Sequence, residues 1–265
     1  VVEGDIRDEA LVQRLVEPAT HVLHLAAQVS VRASVEEPVA SAGHNVTGFL
    51  HVLGAVRRRP EIRMVYASSA SVYGEPDRLP IDEDAPFNNR TLYGGAKVAL
   101  EQYLRAFFDT HGLPYVAFRY FNLYGPRMDM TGVYTEVMVR WMDRIDNGQP
   151  PIVHGKGDKS MDLTFVGDCA RANVLALKSD VVDDVFNVAT GTETTLLELA
   201  TLMGELMGRP DLRPEHVEDK HPGPVGRRQG GVRKAKEKLG FEAQVPLREG
   251  LTQLIAWRRS EKAKA

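Results

Sequence analysis

The sequence predicts an α/β protein: a doubly wound parallel sheet with a smaller C-terminal α/β lobe. Three observations carry that prediction. Short apolar runs of strand length recur at 21–27, 62–68 and 115–121, and they are nearly continuous, as expected of strands covered on both faces. Segments long enough for helices, 40–58 and 91–111, lie between them. Strands and helices alternating at this spacing predict parallel strands joined by right-handed crossovers.

Composition sets the outer bounds. A chain of 265 residues can bury a sizeable core in one large domain, or in one domain with a smaller lobe. With 43% hydrophobic and 26% charged residues it reads as a soluble globular protein. A formal net charge of -3 argues against a nucleic-acid footprint. Cys169 is the single cysteine, so a disulfide framework within the chain is impossible and a reducing cytoplasm is the default. No run reaches membrane-spanning length, and the acidic start Val1-Val2-Glu3-Gly4-Asp5-Ile6-Arg7-Asp8-Glu9 resembles no signal peptide.

In order, Val1-Val2 reads as a strand end, Gly4-Asp5 as a turn, and a helix begins near Asp8. His21 to Ala27 is the first apolar strand, and Gln28 to Pro38 reads as a polar loop. The helix from about Ala40 to Arg58 carries Val46, Phe49, Leu50 and Leu53 on one side. Ile62 to Ser68 is the next strand, and the proline-rich, acidic stretch Gly74 to Arg90 is a surface loop. A helix then runs to about His111, where Gly112-Leu113-Pro114 stops it. Tyr115 to Phe121 is another strand.

The second half is less regular. Val133 to Asn147 reads as a helix, Gly155 to Asp158 as a turn, 163–166 as a strand and 167–178 as a helix. Val185 to Ala189 is a strand and Thr195 to Gly208 an amphipathic helix. Pro210 to Gly231 is loop-rich, and Leu247 to Lys262 is a closing amphipathic helix. Histidine His24 reads as a strand residue and Cys169 as a small buried apolar one. Arg57-Arg58-Arg59 complements a helix dipole.

The chemistry concentrates on Tyr93-Gly94-Gly95-Ala96-Lys97. A tyrosine and a lysine four positions apart share one helix face, where the ammonium can favour the phenolate. A phenol that loses its proton near neutral pH is a general base. Ser69, 24 residues earlier, ends an apolar strand. In a parallel sheet ligands bind at the carboxyl ends of strands, where Gln28, Ser69 and Asn122 are all expected.

With these residues the chain resembles the extended short-chain dehydrogenases, in particular the NAD-dependent nucleotide-sugar epimerases and dehydratases. The resemblance runs from Val1 to about Arg259. Its motifs are Gly4-Asp5-Ile6-Arg7-Asp8, His24-Leu25-Ala26-Ala27-Gln28, Asn45-Val46-Thr47-Gly48, Ser68-Ser69-Ala70-Ser71-Val72-Tyr73-Gly74, Tyr93-Gly94-Gly95-Ala96-Lys97 and Arg119-Tyr120-Phe121-Asn122-Leu123-Tyr124-Gly125-Pro126-Arg127. It implies a Rossmann-like NAD-binding domain over 1–130, to which 162–190 returns, and a nucleotide-sugar lobe made mainly of 131–265. It also implies a homodimer through the helices near 40–58 and 91–111, where Leu100, Tyr103, Leu104, Phe107 and Phe108 give more apolar surface than one face needs.

The resemblance assigns roles residue by residue. Asp5 and Ile6 would flank the adenine; Leu25, Ala26, Ala27 and Gln28 would line the dinucleotide cleft; and Asn45 would support it. Tyr93 would be the base, Lys97 its partner and ribose contact, and Ser69 the hydrogen-bond partner of the reacting hydroxyl. Ser68 and Tyr120 would also sit on the cofactor side. Ser71, Asn122, Arg228 and Arg32 would face the nucleotide sugar, with Arg32 able to meet a uronic-acid carboxylate. No metal is implied.

The residues after Ser69 distinguish among relatives. Dehydratases resemble one another in carrying Asp-Glu there, and uronic-acid decarboxylases a glutamate just before Val-Tyr-Gly. Ala70 and Ser71 supply no carboxylate, so 4-epimerisation of a UDP-hexose or UDP-hexuronic acid fits best. The alternatives are a dehydratase, decarboxylase or reductase of the same superfamily, or a non-catalytic Rossmann-like binding fragment. Departures from the pattern are Met161 where an arginine often precedes the strand aspartate, and His221 where another arginine precedes Pro-Gly. The Gly-rich turn that cradles pyrophosphate at a helix N-terminus is not in the sequence. The expectation is therefore a chain lacking its first strand-helix-strand unit, binding NAD poorly and exposing a strand edge.

Overall fold

A computed structural model describes residues 1–59, 61–130, 137–219 and 226–264. Helix α1 (Glu9–Val16) starts where Asp8 accepts a hydrogen bond from the Leu11 amide, a side-chain N-cap. Strand β1 (His21–His24) follows, then α2 (Val31–Glu36) capped by Ser30, and α3 (Pro38–Ala42) with proline at its first turn. A π-helical turn over Gly43–Thr47 joins α3 to α4 (Gly48–Val56). Strand β2 (Arg63–Ser69) ends in a short 3-10 turn, Ala70–Tyr73. The long α5 (Leu92–His111) is capped by Thr91 and stopped by Gly112 in the left-handed conformation.

Strands β3 (Tyr115–Tyr120) and β4 (Asn122–Tyr124) come next. Then follow α6 (Val137–Asp146), β5 (Ile152–His154), β6 (Ser160–Phe165), α7 (Val166–Lys178) and β7 (Asp184–Val188). Strand β8 (Glu193–Thr195) leads into α8 (Leu196–Leu206), whose Thr195 and Glu198 form a reciprocal capping box. The chain closes with β9 (Glu215–Val217), α9 (Arg233–Leu239) and α10 (Leu247–Lys262).

The main sheet has the order β1-β2-β3-β7, every neighbour parallel. Alternate residues of its central strands face opposite layers, as the two-residue strand period requires. Met64, Tyr66, Tyr115 and Ala117 pack with Phe49, Leu53, Leu100 and Leu104 of α4 and α5. Val65, Val116, Phe118 and Phe186 pack with Ala172, Ala176, Ala235 and Leu239 of α7 and α9. A second core joins α6, α8 and α10 through Trp141, Met142, Leu199, Met203, Leu251 and Leu254. There β6 pairs parallel with β4 and antiparallel with β8. No helix among the described residues is long and apolar enough to cross a membrane.

Several local expectations are corrected. The 21–27 run is not a strand covered on both faces: pairing stops at His24, β1 lies at the sheet edge, and Leu23 and Leu25 are exposed. Leu23 is in register with Val65 on the α7 side, and it stays exposed there. Residues 28–38 are not simply loop, because Ser30 caps a short helix. The helix expected from Ala40 begins at Pro38 and is broken by the π-turn. Strand β6 begins at Ser160, β9 falls within 210–231, and α9 was not anticipated. The expected helix start at 133–136 and the position His221 lie outside the described residues.

Candidate active site

The carboxyl ends of β1, β2 and β3 open on one side of the sheet, and the predicted polar residues gather there. Ser69 is the last residue of β2, and its hydroxyl accepts the Ser71 amide at 3.2 Å, which starts the 3-10 turn. Tyr93 and Lys97 enter on α5, aligned by the helix period. The Ser69 hydroxyl interacts with the Tyr93 phenol and favours its phenolate. The Lys97 ammonium donates to the Ala67 carbonyl at 2.6 Å and lies 4.9 Å from the Tyr66 ring centre and 5.7 Å from that of Tyr93. The structure brings these three side chains together at the carboxyl end of β2.

Electrostatics differ from the simple expectation. Burial pushes the Tyr93 phenol above its ordinary value, and the nearby Ser69 hydroxyl opposes that shift. Burial also pulls Lys97 down to about 8, with the Glu101 carboxylate opposing. Both shifts have one cause: a charged form in a site poor in water is less stable than in solvent. Burial lowers His24, at the end of β1, to about 4, with the Lys97 charge adding to the effect. His24 packs against Phe49 and Tyr66, consistent with a strand residue.

Asn45 explains how the β1 end is held. Its side chain, 3% exposed in the π-turn, bonds both backbone groups of Gln28. Asn45 Oδ1 accepts the Gln28 amide at 2.8 Å, and Asn45 Nδ2 donates to the Gln28 carbonyl at 2.9 Å. Gln28 in turn accepts from Ser41 at 3.1 Å and donates to the Ser30 carbonyl at 3.2 Å. The segment Leu25-Ala26-Ala27 leading to it is open, with Leu25 and Ala26 exposed and Ala27 half-buried.

Other predicted residues fall in varied places. Ile6 is half-buried against Gly48 at the start of α4, where a β-carbon would come within 2.6 Å of it. The Asp5 carboxylate is bound by Arg7, 2.6 Å away, which holds it at about 2. Arg32 pairs with Glu36 at 2.7 Å along α2 and is 83% exposed. Tyr120 donates to Asn173 of α7 at 2.9 Å, beside Cys169, whose thiol burial pushes up to about 11. Ser68 donates to the Glu101 carboxylate, and Arg228 is half-buried on the approach to Gly230. The Ser71 hydroxyl, the Asn122 Oδ1 and the Tyr66 hydroxyl are buried with no partner.

Sequence reading missed the polar scaffold under this site. Arg119, read only as part of a motif, forms a buried pair with Glu101 at 2.7 Å. It also donates to the Tyr73 hydroxyl and the Glu83 carbonyl, each at 2.9 Å. Tyr73 donates to Asn187 of β7 at 2.7 Å. Asp162, fully buried, accepts the amides of Thr190, Gly191 and Gly230 and so joins the β7–β8 loop to 230. A signal for Glu101 was present, since it follows Lys97 by one helical turn. The partners of Asp162 are 28 to 68 residues away, and nothing local announces them.

A parallel sheet in this order, with a serine ending its second strand and a half-buried tyrosine beside a buried lysine on the next helix, defines a Rossmann-like short-chain-dehydrogenase scaffold. The chain belongs to the GDP-mannose 4,6-dehydratase family of extended short-chain dehydrogenases, whose family model matches residues 1–254. It is 35% identical over 262 residues to a putative UDP-glucose 4-epimerase of Methanocaldococcus jannaschii, covering 98% of this chain and 84% of the relative. The crystal structure of UDP-glucose 4-epimerase from Thermotoga maritima with UDP-glucose superposes with a TM-score of 0.93 at 34% identity, over 98% of this chain and 84% of that one. The UDP-glucose 4-epimerase of Thermus thermophilus in complex with NAD gives 0.86 at 32% identity, over 97% and 83%.

Proposed function

We propose that this protein is an NAD-dependent nucleotide-sugar 4-epimerase acting on a UDP-hexose or UDP-hexuronic acid through a transient 4-keto sugar. The observation that carries the reading is the Ser69–Tyr93–Lys97 cluster with no carboxylate at Ala70 or Ser71. Similarity to UDP-glucose 4-epimerases over nearly the whole chain supports it. The residues present fit a dinucleotide on the β1 side: a small-residue segment, Ala26-Ala27, is held open by the Asn45 clamp. They fit a nucleotide sugar on the other side, where Ser71 and Asn122 keep buried polar atoms without protein partners. In this reading the dinucleotide lies on 1–130 with 162–190 and the sugar nucleotide lies mainly against 131–265, with Ser71 and Asn122 contributed from the first part. The pairing of β7 with β3 supports the return of 162–190.

NAD, when bound, supplies the acceptor and donor of the hydride at sugar C4. The chain's own residues do the rest. Tyr93 takes the proton of the C4 hydroxyl and later returns it. Ser69 bonds the reacting oxygen and orients it toward the phenol. Lys97 places a positive charge beneath the ring of Tyr93 and offers donors to the nicotinamide ribose. Ser68, Gln28, Leu25, Asp5 and Ile6 belong to the cofactor side in this reading, and Tyr120 backs it through Asn173. Arg228, and Arg32 once released from Glu36, are the cations for the substrate side.

Incubating the protein with each C4 epimer of a UDP-hexose and of a UDP-hexuronic acid tests the reading. Interconversion without change in mass is expected, and Tyr93→Phe lowers it by roughly 10²–10⁴-fold. Normal turnover by that variant refutes the assignment. Loss of water or carbon dioxide from the product would instead identify a dehydratase or decarboxylase.

We also infer a homodimer through α4 and α5, and a cytoplasmic location. Tyr103, 41% exposed, beside half-buried Phe107 and Phe108 supports the first. The buried thiol of the single cysteine is consistent with the second. Sedimentation as a monomer at micromolar concentration would remove the dimer.

A further inference from the structure

The helix carrying Tyr93 and Lys97 makes a buried ionic contact with the sheet. Glu101 lies one turn beyond Lys97 on the same face of α5 and is 8% exposed. Its carboxylate takes Arg119 Nη2 at 2.7 Å and Nε at 3.1 Å, a forked pair. It also accepts from the hydroxyl of Ser68. Ser68 adjoins Ser69 in β2 and is in register with Arg119 of β3. One carboxylate therefore joins the Tyr/Lys helix, the strand that ends in Ser69 and the next strand.

The charges around Lys97 give this contact a second role. Tyr66 of β2, His24 of β1, and Tyr93 and Glu101 of α5 face it, with the Arg119 cation of β3 beyond Glu101. The two phenols are pushed up by burial and the imidazole is pulled down, so all three are neutral at pH 7. Among these groups Glu101 is the one carboxylate. Its carboxylate opposes the desolvation that favours a neutral amine at Lys97.

We propose that Glu101 is a positioning residue of this site: it ties the Tyr93/Lys97 helix to the strand ending in Ser69 and supplies the countercharge that keeps Lys97 an ammonium. The functional consequence rests on the epimerase reading, but the charge relationship does not. It requires no contact between Glu101 and substrate.

The test is Glu101→Gln, which keeps the side-chain shape and removes the charge. Lysine labelled with 13C at Cε, with Lys97 assigned by its absence in Lys97→Met, reads the titration directly by NMR. In Glu101→Gln the Lys97 titration is expected to move down by about one pH unit. The alkaline limb of kcat/KM is expected to move down with it, while KM changes less than kcat. Glu101→Gln leaves Arg119 buried without its partner, so the double variant Glu101→Gln/Arg119→Met, which buries no unpaired charge, is the second reading; it also removes the Arg119 cation beyond Glu101, so its Lys97 titration is expected to move down by less than in the single variant. A Lys97 titration at the wild-type position in folded Glu101→Gln, or one at or above it in the double variant where the single variant does not fold, overturns the proposal. If no sugar nucleotide turns over in the wild-type protein, the epimerase reading fails, while the NMR titration still decides the role of Glu101.

Discussion

Asn45→Ala is the most direct probe of how the fold holds the loop after β1. The side chain reaches from the π-turn to Gln28, 17 residues away, and satisfies both its amide and its carbonyl. Each neutral hydrogen bond contributes about 0.5–1.5 kcal/mol net, so the pair contributes about 1–3 kcal/mol. Gln28 is half-buried, so water can reach part of what the substitution frees. The cavity left at a site 3% exposed adds to the cost. The expected destabilisation is about 2–3 kcal/mol. With a urea slope of about 3 kcal/mol per molar, the unfolding midpoint falls by about 0.7–1 M. Asn45→Asp separates hydrogen bonding from size. It keeps the acceptor for the Gln28 amide but sets a carboxylate oxygen against the Gln28 carbonyl, so it is expected to cost at least as much. Urea unfolding followed by tryptophan fluorescence measures both variants. A midpoint shift under about 0.2 M in both would refute the clamp.

Lys97→Met is expected to stabilise the protein at pH 7 by about 1–2 kcal/mol, the cost of the buried charge less one lost hydrogen bond. The folded value of Lys97 is about 8 against an ordinary 10.5. Between these values the unfolded chain holds more protons, so wild-type stability rises with pH and the advantage of the variant shrinks toward pH 10.5. A variant less stable than wild type at pH 7, or a gap that does not narrow in denaturant titrations from pH 7 to 10, contradicts this. Gly74→Ala is expected to cost about 2–4 kcal/mol, since φ is +61° and a β-carbon would lie 2.1 Å from the Asn88 carbonyl oxygen. A thermal midpoint unchanged from wild type would show that the 74–90 loop yields freely.

The central elements were legible because their signals are local. The apolar runs at β2 and β3, the helix period of α5 and its stop at Gly112 each lie within a few residues of what they specify. The Tyr93–Lys97 alignment follows from 3.6 residues per turn, and Ser69 from its place at a strand end. The elements misread were those whose local signal is mixed. Ser30 caps a helix inside a polar stretch, and α3 and α4 are separated by a π-turn that no simple period reveals. The Arg32 pairing shows the same limit at the level of one side chain: an i,i+4 partner, Glu36, lies along α2, and that helix is hidden in a stretch that reads as polar loop.

By itself, the sequence determined the α/β class, the order of the main elements, the chemical identity of the Ser/Tyr/Lys cluster and the lack of a carboxylate beside it. These depend on residue type and short spacing. Tertiary structure alone decided what holds that cluster and how it is charged. The Asn45 clamp, the Glu101–Arg119–Ser68 junction and the Asp162 hub join residues 17 to 68 positions apart, and only folding brings such partners within hydrogen-bond distance. The raised Tyr93 and lowered Lys97 values likewise arise from burial, a property of the packed molecule that no spacing encodes.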